Sequence, residues 1–445
     1  MQGSPSRALV IGLGASGLAA ASLLADLGAR VVVTDLRTEE ELGGVLRELP
    51  PGTRTVLGAN PPEALDGAEL VVVSPGVPAG APILEEARRR GLPVLSEVEL
   101  AWRQRPDATL VAVTGSNGKS TVTTMVAEML ATGGRRAVAG GNLGTPACRL
   151  VQEGGWDHWV LEISSFQSEL LAGLRPAVGV LLNLSQDHLE RHATMEAYAA
   201  AKYRLFRRQS AADRAVLNLD DPLAAATPTA ALRRFFSLTR SAEGCLEGET
   251  LVVEGEPLME ASELAVGGRH NLANALAAAL AARALGVERA AVRSALASFQ
   301  GLPHRHRTVA EARGVRWVDD SKATNVGAAM AALEGYPEGS VHLILGGLAK
   351  GQDFAPMVPL VRRIAARVYL IGRDAERIEA ALGGAAPLER CGTLAEAVRR
   401  AGAAARAGDT VLLAPACASF DQFADYAQRG EAFARLAREE VAACR

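Results

Sequence analysis

The sequence predicts an α/β fold of three domains, each with a Rossmann-like or P-loop-like parallel sheet. Short runs of aliphatic and β-branched residues alternate with Ala- and Leu-rich helical stretches along the chain, which is typical of parallel strands connected by helices. The length of 445 residues also suits several domains, because one domain usually takes ~100–200 residues. Both observations favour a multidomain α/β protein with a sizeable buried core.

The apolar runs fall into three series. They predict strands at 8–12, 30–34 and 70–74, then at 109–113, 158–163, 178–184 and 215–219, and finally at 315–319, 341–346, 367–372 and 410–414. Polar segments with Pro106 and Pro303 precede the second and third series. We therefore expect domains at 1–97, 98–301 and 302–445, and the pattern is least informative over 240–268.

Composition excludes several classes of protein. The formal net charge is −3, whereas nucleic-acid binding requires a clustered basic surface. The cysteines are far apart and include no CxxC pair, which indicates reduced thiols; they are Cys148, Cys245, Cys391, Cys417 and Cys444. We expect a cytoplasmic protein without a nucleic-acid partner.

The uncharged stretch at 8–25 has 18 residues, close to the length of a membrane span. It contains Gly12, Gly14 and Gly17 in a GxGxxG spacing, between a strand-like run and a helical pattern. A strand, a tight turn and a helix explain this stretch better than a signal peptide or a membrane span. No membrane partner is therefore expected.

The same turn has the spacing of a dinucleotide-binding fingerprint. Asp35 follows the next predicted strand, 23 residues beyond Gly12, where an acid can bind a ribose hydroxyl. A lone match of this kind is weak. Nicotinamide binding, binding of another nucleotide and a purely structural turn all remain open.

The 47 basic side chains comprise 43 arginines and only four lysines, which are Lys119, Lys202, Lys322 and Lys350. This bias suggests that arginine is used wherever a positive charge alone is needed. The four lysines are then candidates for sites that require a compact ammonium, or an amine that can lose its proton.

The segment 114–121 reads TGSNGKST and lies between a predicted strand and a predicted helix. Glycine-rich backbone at a helix N-terminus can direct its N–H groups towards phosphates. Lys119 would then reach the β- and γ-phosphates of a nucleotide, and the Ser120 hydroxyl would bind Mg²⁺. Position 113 is valine where the usual P-loop pattern has glycine, so a strand–helix turn without a ligand is the alternative.

Three further residues of the second series are candidates. Glu162 closes one predicted strand and His188 follows another, at the strand ends where α/β sheets bind ligands. They could hold Mg²⁺ beside ATP, or they could have capping or surface roles. Lys202 lies in a helical pattern, where a solvated lysine is the ordinary alternative. Its retention beside Arg204 and Arg207 favours a role that requires lysine.

Three polar segments follow strands of the third series. They read DDSKATN at 319–325, GGLAKG at 346–351 and SFDQF at 419–423. Each alone is compatible with an ordinary loop. Three polar or cationic strand ends in one sheet favour an anion-binding pocket, which would suit a carboxylate substrate.

Together these motifs resemble those of the ATP-dependent Mur ligases. The resemblance covers nearly the whole chain and rests on TGSNGKST (114–121), GGNLG (140–144), LEISSFQ (161–167), HNLAN (270–274), GLPHR (301–305), DDSKATN (319–325) and PACASFDQF (415–423). DDSKATN, the Lys350 loop and PACAS are similar to the family member that adds D-glutamate. The DNPR-type motif of the member that adds diaminopimelate or lysine does not occur in the sequence.

The resemblance implies an amide-forming ligase whose partners are ATP, UDP-N-acetylmuramoyl-L-alanine and D-glutamate, and a monomer is expected. ATP would contact Gly115, Ser116, Asn117, Gly118, Lys119, Ser120, Thr121, Asn271, Arg305 and Asp320. The uridine nucleotide would contact Gly14, Ser16, Asp35, Arg37, Ser74, Gly76, Asn142 and His188. D-Glutamate would contact Lys322, Thr324, Lys350, Ser419, Phe420 and Tyr426.

The family further implies one or two Mg²⁺ ions. Their ligands would be Ser120, Glu162, His188 and Lys202, the last as a carbamate. Catalytic roles would fall to Lys119, His188, Lys202, Lys322 and Lys350. The N-terminal fingerprint would then bind uridine diphosphate, which makes a nicotinamide less favoured.

Three other functions fit part of the sequence. A folylpolyglutamate synthase-like ligase shares the phosphate-binding motif and the carbamate chemistry, but it needs no N-terminal uridine-binding domain. A non-catalytic nucleotide switch would explain TGSNGKST but not the polar strand ends of the third domain. A dehydrogenase that uses Gly12–Gly17 would leave Lys119 without a role.

Overall fold

The computed structural model describes residues 5–443. It contains three sheets in chain order, which confirms the predicted α/β class with three sheet-forming regions. The chain folds into two compact units. The first holds the residues up to Leu184, Glu196–Glu263 and Asn274–Ala297, and the second holds Ser185–Met195, Leu264–Ala273 and the residues from Ser298 onwards. The domain limits at 97/98 and 301/302 stay a prediction.

The first sheet has five parallel strands, in the order β3-β2-β1-β4-β5. The strands are β1 (Arg7–Ile11), β2 (Arg30–Asp35), β3 (Arg54–Leu57), β4 (Leu70–Val73) and β5 (Val94–Ser96). The helices are α1 (Ala15–Asp26), α2 (Glu39–Leu42), α3 (Pro82–Arg89) and α4 (Glu97–Gln104). The strand order reverses between β1 and β4, and sheets of this kind bind ligands at such a point, outside the carboxyl ends of the strands.

The second sheet has nine strands, in the order β14-β13-β12-β11-β10-β9-β6-β8-β7. They are β6 (Thr109–Thr114), β7 (Ala137–Gly141), β8 (His158–Glu162), β9 (Val178–Leu181), β10 (Arg214–Asn218), β11 (Leu232–Ser237), β12 (Gly244–Glu247), β13 (Thr250–Val253) and β14 (Glu256–Glu260). The helices are α5 (Lys119–Thr132), α6 (Ala147–Glu153), α7 (Ser165–Ser168), α8 (Leu189–His192), α9 (Met195–Tyr203), α10 (Pro222–Ala225), α11 (Arg269–Ala284) and α12 (Arg289–Ser298). Strand β6 lies between β8 and β9, so the segments that follow these three strands share one edge of the sheet.

The segment 240–268 forms the antiparallel end of this sheet. Strands β12, β13 and β14 pair antiparallel, which corrects the expectation of purely parallel sheets. The turn between β13 and β14 consists of Glu254 (φ 57°) and Gly255 (φ 77°). Glutamate seldom adopts this backbone conformation, so the sequence carried a weak signal for the hairpin.

The third sheet has six strands, in the order β15-β16-β20-β17-β18-β19. They are β15 (Arg307–Ala312), β16 (Val315–Asp319), β17 (Val341–Gly346), β18 (Ala365–Ile371), β19 (Leu388–Gly392) and β20 (Thr410–Leu413). The helices are α13 (Val326–Leu333), α14 (Val358–Ile364), α15 (Ala375–Leu382), α16 (Leu394–Ala404) and α17 (Tyr426–Ala443). Only β15 is antiparallel to its neighbour. Core side chains pack on both faces of the sheet, for example Leu345 on one face and Phe433 with Ile344 on the other.

The uncharged N-terminal stretch forms β1, a turn and α1, as the glycine spacing predicts. Within residues 5–443, no helix is both long and apolar enough to cross a membrane. The cysteines of that range, Cys148, Cys245, Cys391 and Cys417, are free thiols, whereas Cys444 lies outside the described residues.

Candidate active site

The glycine-rich turn after β1 lines a cavity of about 460 Å³. Six residues predicted to bind the uridine nucleotide surround this cavity: Gly14, Ser16, Asp35, Arg37, Ser74 and Gly76. The turn requires glycine, because a Cβ on Gly17 would lie only 1.9 Å from the Gly12 carbonyl oxygen. The Ser74 hydroxyl donates to that same oxygen at 2.7 Å, which ties the end of β4 to the turn.

Asp35 is the charged centre of this cavity. Its carboxylate accepts hydrogen bonds from the backbone N–H groups of Leu13 (2.7 Å) and Arg37 (2.9 Å), and the Arg37 guanidinium donates through Nε (3.0 Å) and Nη2 (2.8 Å). Burial alone would raise the pKa of Asp35, but these bonds outweigh it and lower the pKa to about 2. The carboxylate is therefore ionised at neutral pH.

The TGSNGKST segment forms the turn between β6 and α5. Gly115 (φ 148°) and Gly118 (φ 84°) adopt backbone conformations that favour glycine. Asn183, which follows β9, holds the turn from one side. Its carbonyl accepts from the Ser116 N–H at 2.9 Å, and its Oδ1 accepts from the Asn117 N–H at 2.8 Å. The position of the turn is thus set by the neighbouring strand.

Two of the four lysines contact this turn. Lys119 Nζ donates to the carbonyls of Gly115 (2.9 Å) and Ser116 (2.8 Å), so its side chain folds over the turn. Lys202 Nζ donates to the same Gly115 carbonyl at 2.9 Å and lies 4.7 Å from the centre of the Tyr198 ring. Lys202 is only 1% exposed, which contradicts the alternative of a solvated helix lysine.

Glu162 reaches the first turn of α5 from the end of β8. Its Oε2 accepts from the Ser120 hydroxyl at 2.5 Å, and its Oε1 accepts from Asn142 Nδ2 at 2.6 Å. Glu162 is buried, so these hydrogen bonds fix its orientation. Asn142, predicted to contact the uridine nucleotide, therefore lies beside the phosphate-type turn and does not line the N-terminal cavity.

The residues beside this turn suit a hard divalent cation. Ser120 and Glu162 present two oxygen ligands next to a glycine-rich turn, which is the donor chemistry that Mg²⁺ prefers. Within the described residues, no three His, Cys, Asp or Glu side chains cluster so as to hold a metal by themselves. A cation here would need further oxygens from phosphate, water or a modified lysine.

In the second unit, His188 lies beside an acid that sequence reasoning did not select. Asp187 Oδ2 accepts from Asn325 Nδ2 at 3.1 Å, and Lys350 Nζ lies 3.8 Å from Asp187 Oδ1. His188 (φ 54°) and Lys350 (φ 49°) have left-handed backbone, which persists where the surroundings fix it. Burial lowers the pKa of the His188 imidazole although Asp187 and Glu190 act in the opposite direction, so its neutral form prevails at pH 7.

The three polar loops of the third sheet lie at one edge. They follow β16, β20 and β17, which are parallel neighbours in the sheet. Gln352 Nε2 donates to the Ala416 carbonyl at 3.1 Å, which links the loops after β17 and β20. Arg429 Nη2 donates to the carbonyls of Ser321 (2.9 Å) and Cys417 (3.1 Å), which links the loops after β16 and β20. Buried polar side chains thus hold the three loops together.

The residues predicted to bind D-glutamate occupy these loops and the start of α17. Lys322 Nζ lies 3.7 Å from the centre of the Tyr426 ring, within range of a cation–π interaction. Ser419 is buried, whereas the Phe420 side chain is 70% exposed. Lys322 and Tyr426 are therefore already in contact, and Thr324 follows in the same loop as Lys322.

The predicted ATP contacts of the second unit come from three segments, two of which are adjacent. Arg305 precedes β15 and Asp320 follows β16; because Arg307 pairs with Asp319 across these strands, the two segments meet. Asn271 lies at the start of α11 and is 9% exposed.

Sequence reasoning missed several residues that support the site. Tyr198 precedes Lys202 by four positions on α9, a spacing that puts both on one helix face and was the available signal. Asn274 crowds the turn so closely that a Cβ on Gly118 would lie 2.4 Å from its Oδ1. Asn183 and Arg429 form hydrogen bonds with backbone N–H and carbonyl groups of other segments. No sequence pattern predicts such bonds.

Fold and site together define a three-sheet α/β protein with a P-loop-type turn and a separate N-terminal nucleotide-type cavity. Three family models match the chain: the MurD-like N-terminal domain of Mur ligases at residues 6–96, the Mur ligase middle domain at 113–282, and the Mur ligase glutamate ligase domain at 304–417. The chain belongs to the Mur ligase family, whose members are ATP-dependent ligases.

Relatives named UDP-N-acetylmuramoylalanine–D-glutamate ligase match along nearly their whole length. The protein of Anaeromyxobacter dehalogenans is 46% identical over 454 residues, with 98% of both chains covered. The protein of Acidobacterium capsulatum is 44% identical over 442 residues, covering 97% of this chain and 95% of that one.

Solved structures share the fold at lower identity. The MurF ligase from Thermotoga maritima in complex with ADP has a TM-score of 0.64 at 19% identity and covers 99% of both chains. A pseudomurein peptide ligase type C from Methanothermus fervidus has a TM-score of 0.62 at 18% identity, covering 99% of this chain and 100% of that one. These similarities support the fold alone.

Proposed function

We propose that this chain is the ligase that adds D-glutamate to UDP-N-acetylmuramoyl-L-alanine, with conversion of ATP to ADP and phosphate. The observation that carries the proposal is the 46% identity, over nearly the full length, to a relative named for this reaction. The reaction would serve peptidoglycan precursor synthesis, and we propose a cytoplasmic monomer.

Three features of the fold support separate binding of the three substrates. The 460 Å³ cavity of the first sheet would take the uridine nucleotide, with Asp35 accepting from ribose or uracil donors. The TGSNGKST turn would take the ATP phosphates. The loops after β16, β17 and β20, with Lys322 and Lys350, would take the two carboxylates of glutamate.

A carboxylate must be activated before an amine can displace its oxygen, because oxide is a poor leaving group. We propose that a carboxylate oxygen of the alanyl group attacks the γ-phosphorus of ATP. The bond from that phosphorus to the bridging oxygen breaks, so ADP leaves and an acyl phosphate forms. Lys119 would exchange the Gly115 and Ser116 carbonyls for phosphate oxygens and would neutralise the charge that develops on them.

The amine of D-glutamate then attacks the acyl carbon. The tetrahedral adduct collapses as the carbon–oxygen bond to phosphate breaks, phosphate leaves with the electron pair, and the nitrogen loses a proton to water. Lys322 and Lys350 would orient the carboxylates of the incoming amino acid, since positioning supplies much of the rate enhancement in such transfers.

Ser120 and Glu162 would hold Mg²⁺, which supplies positive charge to the phosphate oxygens when it is bound. We further propose that Lys202 carries a carbamate. Its ammonium would first lose a proton; the neutral amine would then add to CO₂ and lose a second proton, which turns a buried cation into an anionic oxygen ligand. The roles of His188, Asn271, Arg305 and Asp320 stay predictions.

The test is ADP release by the purified full chain with ATP and Mg²⁺. We expect release only when UDP-N-acetylmuramoyl-L-alanine and D-glutamate are both present. L-Glutamate in place of D-glutamate, and UDP-N-acetylmuramic acid without the alanyl group, are the matched negative controls.

Other outcomes would assign other functions. Turnover with L-glutamate and a folate would identify a folylpolyglutamate synthase-like ligase. Nucleotide binding without turnover on any acceptor would indicate a nucleotide switch. Either result would contradict the proposal.

A further inference from the structure

A hydrogen-bonded pair, the partly buried His304 and the buried Asp319, lies beside the loop that carries Lys322. His304 Nδ1 and Asp319 Oδ2 are 2.7 Å apart, and Asp319 is 1% exposed. When the Asp319 carboxylate is ionised it can only accept, so His304 Nδ1 then carries the proton of this hydrogen bond. Burial raises the pKa of Asp319, while the hydrogen bond from His304 acts against that rise. Neither His304 nor Asp319 is among the residues predicted to bind a substrate or a metal or to act in catalysis.

The surrounding structure accommodates the pair at some cost. Gly430 lies within α17, where glycine is unfavourable, yet a Cβ at this position would lie 2.2 Å from His304 Nδ1 and 2.8 Å from Asp319 Oδ2. His304 itself has φ of 60°, a left-handed conformation that histidine seldom adopts. A glycine within a helix and a strained backbone at the same place indicate that the pair is held for a purpose.

The pair connects to Lys322 by two routes. The His304 ring meets the Tyr426 ring edge to face, with centroids 6.4 Å apart and planes at 75°, and Tyr426 lies against the Lys322 ammonium. The His304 carbonyl also accepts from the Lys322 N–H at 3.1 Å. Both the side chain and the backbone of Lys322 thus depend on where His304 lies.

We propose that the His304–Asp319 pair is a positioning device that holds Tyr426 and Lys322 in place to receive the carboxylate of the incoming amino acid. This inference rests on the proposed function for the identity of that amino acid. His304 and Asp319 would not touch the substrate; they act through Tyr426 and Lys322. Gly430 provides the space that the pair requires.

Three variants and one control separate positioning from general stability. His304→Leu removes the hydrogen bond to Asp319, and Gly430→Ala crowds both His304 and Asp319 while leaving their own side chains unaltered. His304→Asn is the conservative variant, because its side-chain N–H can take the place of Nδ1–H. Glu431→Ala is the control, since it is exposed, follows Gly430 on α17 and has no proposed role.

Kinetics provide the first measurement. For His304→Leu and Gly430→Ala we expect KM for D-glutamate to rise by about tenfold while KM for UDP-N-acetylmuramoyl-L-alanine stays unchanged, because only the amino-acid contact is displaced. His304→Asn should recover most of the difference, and Glu431→Ala should match the unmodified chain. An unchanged KM for D-glutamate in both disruptive variants would overturn the inference.

A second measurement requires no activity. The chain has four lysines, so ¹³C-methylation of the amines gives few NMR signals, and the Lys322 signal is assigned by its loss in Lys322→Arg. In the methylated chain without substitutions, the Tyr426 ring current should shift this signal upfield. In the methylated His304→Leu and Gly430→Ala variants the signal should move downfield. A shift retained in both variants would overturn the inference.

The two measurements also separate the inference from the proposed function. If the unmodified chain releases no ADP with D-glutamate, the proposed function fails, and the NMR signal alone decides whether His304 positions Lys322. If the unmodified chain is active and neither disruptive variant changes KM, the proposed function stands and the inference fails.

Discussion

The chain contains two glycine-rich strand–turn–helix units with opposite electrostatics. One connects β1 to α1 and the other connects β6 to α5. Both place glycines with positive φ after a buried parallel strand, and both are held by the residues that follow neighbouring strands. Both backbones thus place the N-terminus of a helix directly after the carboxyl end of a parallel strand.

The side chains around the two turns differ in charge. At the N-terminal turn, the Leu13 N–H donates to the carboxylate of Asp35, so an anionic side chain already accepts from a backbone N–H group of this turn. At the central turn, the Gly115 carbonyl accepts from Lys119 and Lys202, so cations surround a backbone acceptor. A turn that contacts a carboxylate favours ligands that donate hydrogen bonds, and a turn beside the Lys119 ammonium favours phosphates.

This contrast explains why the glycine pattern alone did not reveal the ligand. The spacing GxGxxG at the N-terminus is compatible with a nicotinamide, another nucleotide or no ligand. What distinguishes the two turns is the charge of the side chains that contact them: Asp35 lies at the end of β2, whereas Lys119 and Lys202 lie on α5 and α9. The first prediction tests, at Lys202, whether the central turn needs more than a positive charge.

Lys202→Arg should lower ADP release by more than about 1000-fold, which is the largest effect expected here. Arginine keeps the positive charge beside the Gly115 carbonyl and the Tyr198 ring, but its guanidinium cannot form a carbamate. Steady-state assays with all three substrates measure the loss.

Arg207→Lys is the matched control, because Arg207 is exposed one turn further along the chain. It should retain full activity. Circular dichroism must show that Lys202→Arg remains folded. Turnover of folded Lys202→Arg within about tenfold of the unmodified chain would show that the central turn needs only a charge at this position.

Much of the fold and the site could be predicted because the signals are local. Buried runs such as Leu110–Val113 identify strands directly, and TGSNGKST combines turn, lysine and hydroxyl in eight adjacent positions. Several strands escaped prediction because they lack such runs. Strand β7 reads AVAGG and β3 reads RTVL with two exposed residues, so neither shows an apolar or alternating pattern.

The supporting residues could not be predicted because their roles depend on distant neighbours. Asn183 follows β9 and holds the turn that follows the neighbouring strand β6. Gly430 leaves space for His304, which lies 126 positions earlier in the chain. Asp319 was recognised as part of DDSKATN, but its partner His304 follows from the antiparallel pairing of β15 and β16. Contacts of this kind follow from the three-dimensional pairing of segments and leave no local pattern.

The second prediction tests whether the N-terminal turn depends on glycine as its geometry indicates. Gly17→Ala should lower the free energy of unfolding by about 2–3 kcal/mol, because its Cβ would lie 1.9 Å from the Gly12 carbonyl oxygen and 2.7 Å from Ser74 Oγ. Thermal and chemical unfolding of the full chain measure the change.

Gly14→Ala is the matched comparison in the same turn. Nothing lies within 4 Å of a Cβ on Gly14, so the stability should change by less than about 0.5 kcal/mol. Equal stability of the Gly17→Ala and Gly14→Ala variants would mean that the turn relaxes freely, and the close approach of α1 to β4 would then have no structural importance.

The third and smallest prediction concerns the charge of Asp35. Its pKa of about 2 in the folded chain lies below the ~3.9 of an unfolded aspartate, so the ionised form stabilises the fold. The contribution should be about 1–2 kcal/mol, since Arg37 is partly exposed and its attraction is screened. It is fully present above pH ~4 and is lost as pH falls from ~4 to ~2.

Asp35→Asn removes the charge and keeps the shape, so the two chains should differ in unfolding free energy by the same amount at pH 7 and pH 5. The difference in unfolding free energy should decrease below pH ~4, where Asp35 becomes protonated in the unfolded chain before it does in the folded chain. The control variant Glu40→Gln, at an exposed position in α2, should have the same unfolding free energy as the unsubstituted chain. If the difference in unfolding free energy between the Asp35→Asn variant and the unsubstituted chain does not change with pH, the hydrogen bonds of Asp35 stabilise the fold without a contribution from its charge. The proposed difference in charge between the two turns would then not hold for the N-terminal turn.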